Sequence, residues 1–428
     1  MPSVTVVGAQ WGDEGKAGIV DLLSEDADWV VRFQGGPNAG HTVVAGGETF
    51  KLHLTPSGIV RENGPRCLIA QGVVIDPEVL FGELDGLEER GVETTGRVLI
   101  SDRAHFILPY HRALDGLRES SGDSKIGTTR RGIGPCYADK VSYRGIRVGD
   151  ILDRDRFEAR LEVELTHRNK LITEVYGGDP LDFGEMRDLF RAHAERLEPM
   201  IVDGTTTLLD ALDDGDRVLH EGAQGFLLDN DCGTYPFVTG SNASTLGLPA
   251  GAGVPPNRIG HVIGIAKAYC TRVGDGPFPS EDSGPDGDRI RELGDEFGTT
   301  TGRPRRCGWF DAVAVRYAAR TSGFDELAIT KLDILSGLET LKFATSYECG
   351  DGTTSTTFPA RIAHIETARP VYREFPGFSE DITGVRRFED LPVAARDYMD
   401  ALEAEVGVPV RIISVGPDRD QVIRRNDS

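Results

Sequence analysis

Apolar positions along the chain come in two patterns, short unbroken runs and stretches repeating at helical intervals. Residues 3–8 form an unbroken run of strand character, followed by a glycine-containing turn at 9–15 and a helical pattern over about 16–24. Residues 28–34 are a second apolar run, and 38–53 read as a loop leading into a hairpin around Ala45, Gly46 and Gly47. Further runs at 68–75 and 98–101 bracket a helix predicted over about 77–90. Unbroken apolar runs mark strands buried on both faces, and their alternation with amphipathic helices marks βαβ units. The pattern predicts an α/β fold: a large, mostly parallel central sheet flanked by helices, with a P-loop-like nucleotide site after the first strand.

Residues 150–214 change character. Charged residues dominate, and Phe157, Leu161 and Leu165, then Phe190, His193 and Leu197, recur at helical spacing. This predicts a helical insertion beside the sheet. Strand signals return at 217–220, 261–268, 326–331, 341–347 and 410–415, separated by Gly- and Thr-rich loops at 233–253 and 295–308. Loops of that length within a compact fold are usually functional. No linker separates independent units, so 1–428 reads as a single α/β domain with that insertion.

Composition narrows the function. With 39% hydrophobic residues, the 428-residue chain can bury a sizeable core. It contains no apolar run long enough to cross a membrane. It enters its first strand directly, with no charged, cleavable leader, which predicts a cytoplasmic protein. The net charge of −22, from 69 acidic and 47 basic residues, excludes nonspecific nucleic-acid binding. That excess, with Arg much commoner than Lys, favours adaptation to salt over an ordinary acidic surface. The six cysteines form no CxxC pair, so neither zinc nor a disulfide framework is expected.

Four segments carry chemistry. The first is Gly8-Ala9-Gln10-Trp11-Gly12-Asp13-Glu14-Gly15-Lys16, between a strand and a helix. Free backbone N–H groups and the helix dipole make such a turn an anion cradle. It is not a Walker A loop: six residues, not four, separate Gly8 from Gly15, and Ala17 stands where a hydroxyl would hold Mg²⁺. Asp13 sits inside the loop instead, where a carboxylate calls for a metal or a proton-transfer role. The second segment, Gln34 to Thr42, holds adjacent glycines, the amide of Asn38 and the imidazole of His41. The third, Thr330-Lys331-Leu332-Asp333, follows an apolar run. An Asp acceptor there can read guanine N1–H and N2–H₂, which adenine lacks, while a Lys stem lies over the base. The fourth, Gly298 to Arg306, offers Thr hydroxyls and the guanidiniums of Arg303, Arg305 and Arg306 to a carboxylate or phosphate. Two further segments, 126–135 and 220–225, read equally well as plain turns.

Taken together these motifs closely resemble the adenylosuccinate synthetase family over nearly the whole length. The resemblance also rests on Arg-Gly-Ile-Gly-Pro, Glu-Gly-Ala-Gln-Gly, Gly-Thr-Tyr-Pro, Thr-Arg-Val-Gly and the segment Ser414 to Arg419. It implies a GTP-dependent enzyme joining L-aspartate to IMP, with Mg²⁺ as cofactor and GTP as co-substrate. Asp13 would take the N1 proton of IMP and ligate Mg²⁺ with the carbonyl of Gly40. His41 would act as the acid, and Gln224 would join them as a catalytic residue. IMP would contact Asp13, Glu14, Gly15, Lys16, Asn38, Ala39, Gly40, His41, Thr129, Gln224, Thr239 and Arg303. GTP would contact Gly12, Asp13, Glu14, Gly15, Lys16, Ala17, Gly18, Gly40, His41, Thr42, Arg305, Lys331, Leu332, Asp333, Ser414, Val415 and Gly416. Aspartate would lie against Thr299, Thr300, Thr301, Gly302, Arg303, Pro304 and Arg305.

The family also works as a homodimer in which a partner arginine reaches the IMP phosphate. Tyr143 stands at the position expected for that residue, and its neighbour Arg144 is taken as the substitute. A second departure is Ala17-Gly18, where the family usually reads Gly-Lys. A regulatory GTP switch would need a hydroxyl after Lys16, and an inactive homologue should have lost Asp13 or His41. Another ligase that phosphorylates a purine oxygen and accepts a different amine remains open.

Overall fold

The structure is a computed structural model describing residues 3–121, 127–297, 304–350 and 352–425. Ten strands form its central sheet: β1 (Ser3–Gly8), β2 (Trp29–Arg32), β3 (Arg66–Ile69), β4 (Val98–Ser101), β5 (Ile201–Val202), β6 (Val218–Gly225), β7 (His261–Lys267), β8 (Glu326–Thr330), β9 (Val410–Ser414) and β10 (Val422–Arg424). Their order across the sheet is β10-β9-β8-β7-β1-β6-β2-β3-β4-β5. All run parallel except β10, which pairs antiparallel with β9.

The strands are continuous apolar runs because both faces of the sheet are covered. Val7, Val31, Leu68, Leu327 and Ile329 point into one core. Their chain neighbours Val6, Val30, Ile69 and Ala328 point into the other. Each fully buried Val, Leu or Ile contributes roughly 2 kcal/mol of transfer free energy, so the paired cores hold the sheet between its helices.

Topology places the site. After β1 the chain moves to one half of the sheet (β2 to β5), returns through β6 beside β1, then builds the other half from β7 outwards. Loops leaving the carboxyl ends of neighbouring strands near β1 therefore diverge and leave a crevice. α1 (Lys16–Leu23) starts at that edge.

Several elements depart from the sequence reading. The stretch 150–214 forms helices Arg154–Lys170, Phe183–Leu197 and Gly204–Asp214, whose N-termini are capped by Asp153, Asp182 and Asp203. Within it, however, Ile201–Val202 joins the edge of the sheet. The run near 341–347 belongs to Thr340–Glu348, which lies outside the central sheet in a second sheet with Tyr269–Arg272, Arg306–Asp311, Thr354–Ser355 and Arg369–Pro376. The loop expected at 295–308 ends early, because Arg306 already begins a strand, and the loop at 233–253 contains the helix Leu248–Ala252. Residues 220–225, for which a plain turn was one of the open readings, complete the buried strand β6. All six cysteines are free thiols. Among the described residues no helix is long and apolar enough to cross a membrane.

Gly225, at the end of β6, backs directly onto the turn after β1. A Cβ there would overlap the backbone of Gln10 and Gly12 and the carboxylate of Glu14. Gly225→Ala should therefore cost about 1–3 kcal/mol of stability through overpacking. Denaturant unfolding tests this, and an unchanged midpoint would contradict the close approach.

Candidate active site

The turn after β1 is built around a buried acid. Gly12, Asp13 and Gly15 have φ of 95°, 58° and 77°, and the conformation of Asp13 costs roughly 1–2 kcal/mol for an L-residue. Glu14 offsets that cost. Its Oε1 accepts the backbone N–H groups of Gly12 at 2.8 Å and Gln10 at 3.1 Å, and its Oε2 pairs with Lys16 Nζ at 2.5 Å. Burial pushes the Glu14 carboxyl up, but Lys16 and the amide donors outweigh it and leave it below its ordinary value. The turn is stapled to the sheet as well. The Thr330 hydroxyl donates to the Glu14 carbonyl at 2.6 Å, and the Gln10 side chain bonds the backbone of Lys267 and Tyr269.

Lys16 itself is buried within the turn, with its Nζ paired to Glu14. The amides of α1 remain, since Gly15 caps the helix with no side chain, and the space about Gly18 is open.

Beside the turn lies a cavity of about 250 Å³. Asp13, Asn38, Ala39, Gly40, Thr129, Gln224 and Thr239, all expected at IMP, line it together with Gly12. Gln224 Nε2 donates to Asn38 Oδ1 at 3.1 Å, and Asn38 Nδ2 donates to Thr239 Oγ1 at 3.4 Å, so the three amide and hydroxyl groups form one chain. Gln224 Oε1 is buried without a hydrogen-bond partner, an acceptor left for a ligand. The wall also contains Trp11, Asp115, Phe237, Val238, Arg272, Val273 and Asp275, none singled out from the sequence. Arg272 and Val273 fall within the Thr-Arg-Val-Gly motif, which was the available signal.

His41 is buried behind Ala223, at the start of the hairpin strand His41–Ala45. Its Nδ1 lies 2.5 Å from Glu221 Oε1, and its Nε2 lies 3.1 Å from the Ala223 carbonyl oxygen. Glu221 also accepts the Ser57 hydroxyl at 2.6 Å and the Ser57 N–H at 2.8 Å, with Arg32 Nη1 at 4.0 Å. Burial raises the Glu221 carboxyl, but hydrogen bonding and charge from His41, with Arg32 and Ser57, bring it below its usual value. Burial pulls the His41 imidazole below its usual value, and Glu221 opposes that shift. The sequence reading named His41 and missed Glu221, the group that orients it.

The residues expected at GTP converge on the same edge of the sheet. Lys331–Asp333 follow β8, and Ser414 ends the adjacent β9, with Val415 and Gly416 directly after it. Asp333 Oδ1 is buried without a hydrogen-bond partner, and burial raises this carboxyl. Lys331 adopts φ 59°, and its Nζ lies 2.9 Å from Glu296 Oε1. Thr42 and Gly40 are exposed beside the turn. Arg305 Nε lies 2.8 Å from Asp13 Oδ2. Arg144 does not reach the cavity of its own chain; it pairs with Glu164 at 3.2 Å. Pro304 is described, but Thr299, Thr300, Thr301, Gly302 and Arg303 lie outside the described residues.

Fold and site define an α/β nucleotide-handling enzyme whose ligand groups lie on the carboxyl edge of a parallel sheet. The family model for adenylosuccinate synthetase matches residues 5–423, and the chain belongs to that family. It is 54% identical to the adenylosuccinate synthetase of Moorella thermoacetica, with 99% of each chain covered. It is 52% identical to that of Brevibacillus brevis, over 99% of this chain and 98% of the other. A solved structure of fully ligated adenylosuccinate synthetase from Plasmodium falciparum superposes with a TM-score of 0.94 at 36% identity, with 100% of both chains covered. The family's reaction is ligation of L-aspartate to IMP at the expense of GTP for AMP biosynthesis, EC 6.3.4.4.

The His41–Glu221 contact can be tested in isolation. Glu221→Gln removes the influence that raises the imidazole, so His41 should titrate at lower pH than in the parent protein. NMR titration of the ring reads this directly; an equal or higher midpoint would contradict the assigned pairing.

Proposed function

We propose that the chain phosphorylates the O6 of IMP with GTP and then displaces that phosphate with the amine of aspartate, giving adenylosuccinate, GDP and phosphate. The observation that carries this reading is the position of Asp13. One carboxylate lies on the anion-cradling turn and also in the wall of the adjoining cavity. IMP occupies the cavity, where the Gln224–Asn38–Thr239 chain meets it, and GTP lies along the start of α1 with guanine against Asp333.

Two steps are needed because an oxygen at purine C6 leaves poorly until it is phosphorylated. Asp13 removes the N1 proton, which raises the electron density on O6 as it attacks the γ-phosphorus of GTP. His41, held by Glu221, donates a hydrogen bond to the phosphoryl oxygens. The bond from the γ-phosphorus to the β,γ-bridging oxygen breaks, and GDP departs. The aspartate amine then attacks C6, loses a proton, and phosphate leaves with the C6–O bond electrons. Thr299, Thr300, Thr301, Gly302, Arg303 and Arg305 hold the carboxylates of aspartate, for which paired guanidinium forks suit the geometry.

The residues present fit Mg²⁺. This ion keeps several waters and takes only one or two protein oxygens beside phosphates. Asp13 and Gly40 share the cavity wall, and the space around Gly40 is open. They would hold the ion, which when bound neutralises phosphate charge. A second copy of the chain completes the site through Arg144. The exposed Val141 and Tyr143 beside it are an apolar corner that a partner would cover. We place the enzyme in the cytoplasm, where the family is found in general.

Purified protein supplied with IMP, aspartate, GTP and Mg²⁺ should produce adenylosuccinate absorbance, and omission of any one should abolish it. Asp13→Asn should lower turnover by roughly 10²–10⁴-fold while leaving GTP binding largely intact. Normal turnover in that variant would overturn the base assignment.

A further inference from the structure

Buried charge is also concentrated around Glu296, a residue to which the reaction above gives no role. It lies between the helix Pro285–Leu293 and the strand Arg306–Asp311, and its side chain is fully buried. Oε1 lies 2.9 Å from Lys267 Nζ at the end of β7 and 2.9 Å from Lys331 Nζ after β8, and it accepts the Tyr269 hydroxyl at 2.6 Å. Oε2 accepts Arg305 Nη1 at 2.7 Å. The Arg305 N–H donates to the Glu296 carbonyl at 2.9 Å, so backbone and side chain are held together. The opposite edge of the same guanidinium contacts Asp13 Oδ2.

The two carboxylate oxygens therefore divide their work between two ligand sites. One holds the lysine assigned to guanine; the other holds the arginine assigned to aspartate and to GTP, while the Asp13 turn keeps its own supports in Glu14 and Thr330. In direct contact are three cations (Lys267, Lys331, Arg305) and two carboxylates (Glu296, Asp13), leaving one positive charge in excess. Burial raises the Glu296 carboxyl, but the surrounding lysines and arginine bring it well below its ordinary value. Removing its charge would leave buried cations uncompensated, and they would relax away from their present positions.

We propose that Glu296 is a positioning residue that couples the guanine site to the aspartate site by holding Lys331 and Arg305 on its two oxygens. This rests on the roles given to Lys331 and Arg305 above. Loss of the coupling moves both GTP and aspartate affinity and spares IMP, whose cavity Glu296 does not line.

The test is steady-state kinetics of Glu296→Gln, with KM measured separately for GTP, aspartate and IMP. KM for GTP and for aspartate should each rise roughly tenfold or more, with that for IMP within about threefold. Glu296→Gln added to Arg305→Leu should raise the aspartate KM far less than it does alone, because the two act through one contact. If all three KM values rise together, or the two substitutions multiply independently, the proposal is overturned. Single substitutions Lys331→Met and Arg305→Leu test the underlying reading. If they leave the GTP and aspartate KM values unchanged, the assignments fail before the coupling is at issue. Should Glu296→Gln not fold, Glu296→Asp keeps the charge but is too short to span both partners. It should give the same split, and unaltered KM values in that variant would also overturn the coupling.

Discussion

The site depends on one buried carboxylate. Glu14 has nowhere to send its charge except the amides of Gln10 and Gly12 and the ammonium of Lys16, and satisfying all three forces the chain into a left-handed turn. That turn points Asp13 outward, to the cavity wall, while the Thr330 hydroxyl clamps it to the neighbouring part of the sheet. A conventional phosphate loop spends its lysine on the ligand. Here the lysine also pairs with an acid inside the loop, next to helix amides of the kind that suit an anion.

The same device recurs at the edge of the sheet. Glu221 orients His41 between β6 and the hairpin, and Glu296 gathers Lys267, Lys331 and Arg305 near β7 and β8. Each acid is completely buried, and each sits among cations or donors that keep it charged despite the cost of burial. Groups held this way need little rearrangement when charge develops on a ligand, which is the condition for electrostatic catalysis.

How much of this was legible in the sequence depended on where the physical signal lay. The strand–turn–helix at the start was readable because strands covered on both faces are unbroken apolar runs. His41 stood out because it follows a glycine-rich stretch that no core requires. Residues 220–225 stayed ambiguous, because polarity often means a turn, and only the fold reveals that Glu221 and Gln224 are polar on a buried strand facing partners far away in the chain. The Lys16–Glu14 pair was not legible either: the two lie only two residues apart, and spacing alone does not show which way side chains in such a turn point. Ile201–Val202 escaped notice because two residues carry no periodicity.

The central claim is that two nucleotides meet across the Asp13 turn. A crystal structure of the protein with IMP, a non-hydrolysable GTP analogue and Mg²⁺ tests it most directly. The account predicts the Asp13 carboxylate within hydrogen-bonding distance (~3 Å) of purine N1, guanine against Asp333, and the terminal phosphoryl group between them. Nucleotides bound on separate faces, or a guanine ring remote from Asp333, would contradict it.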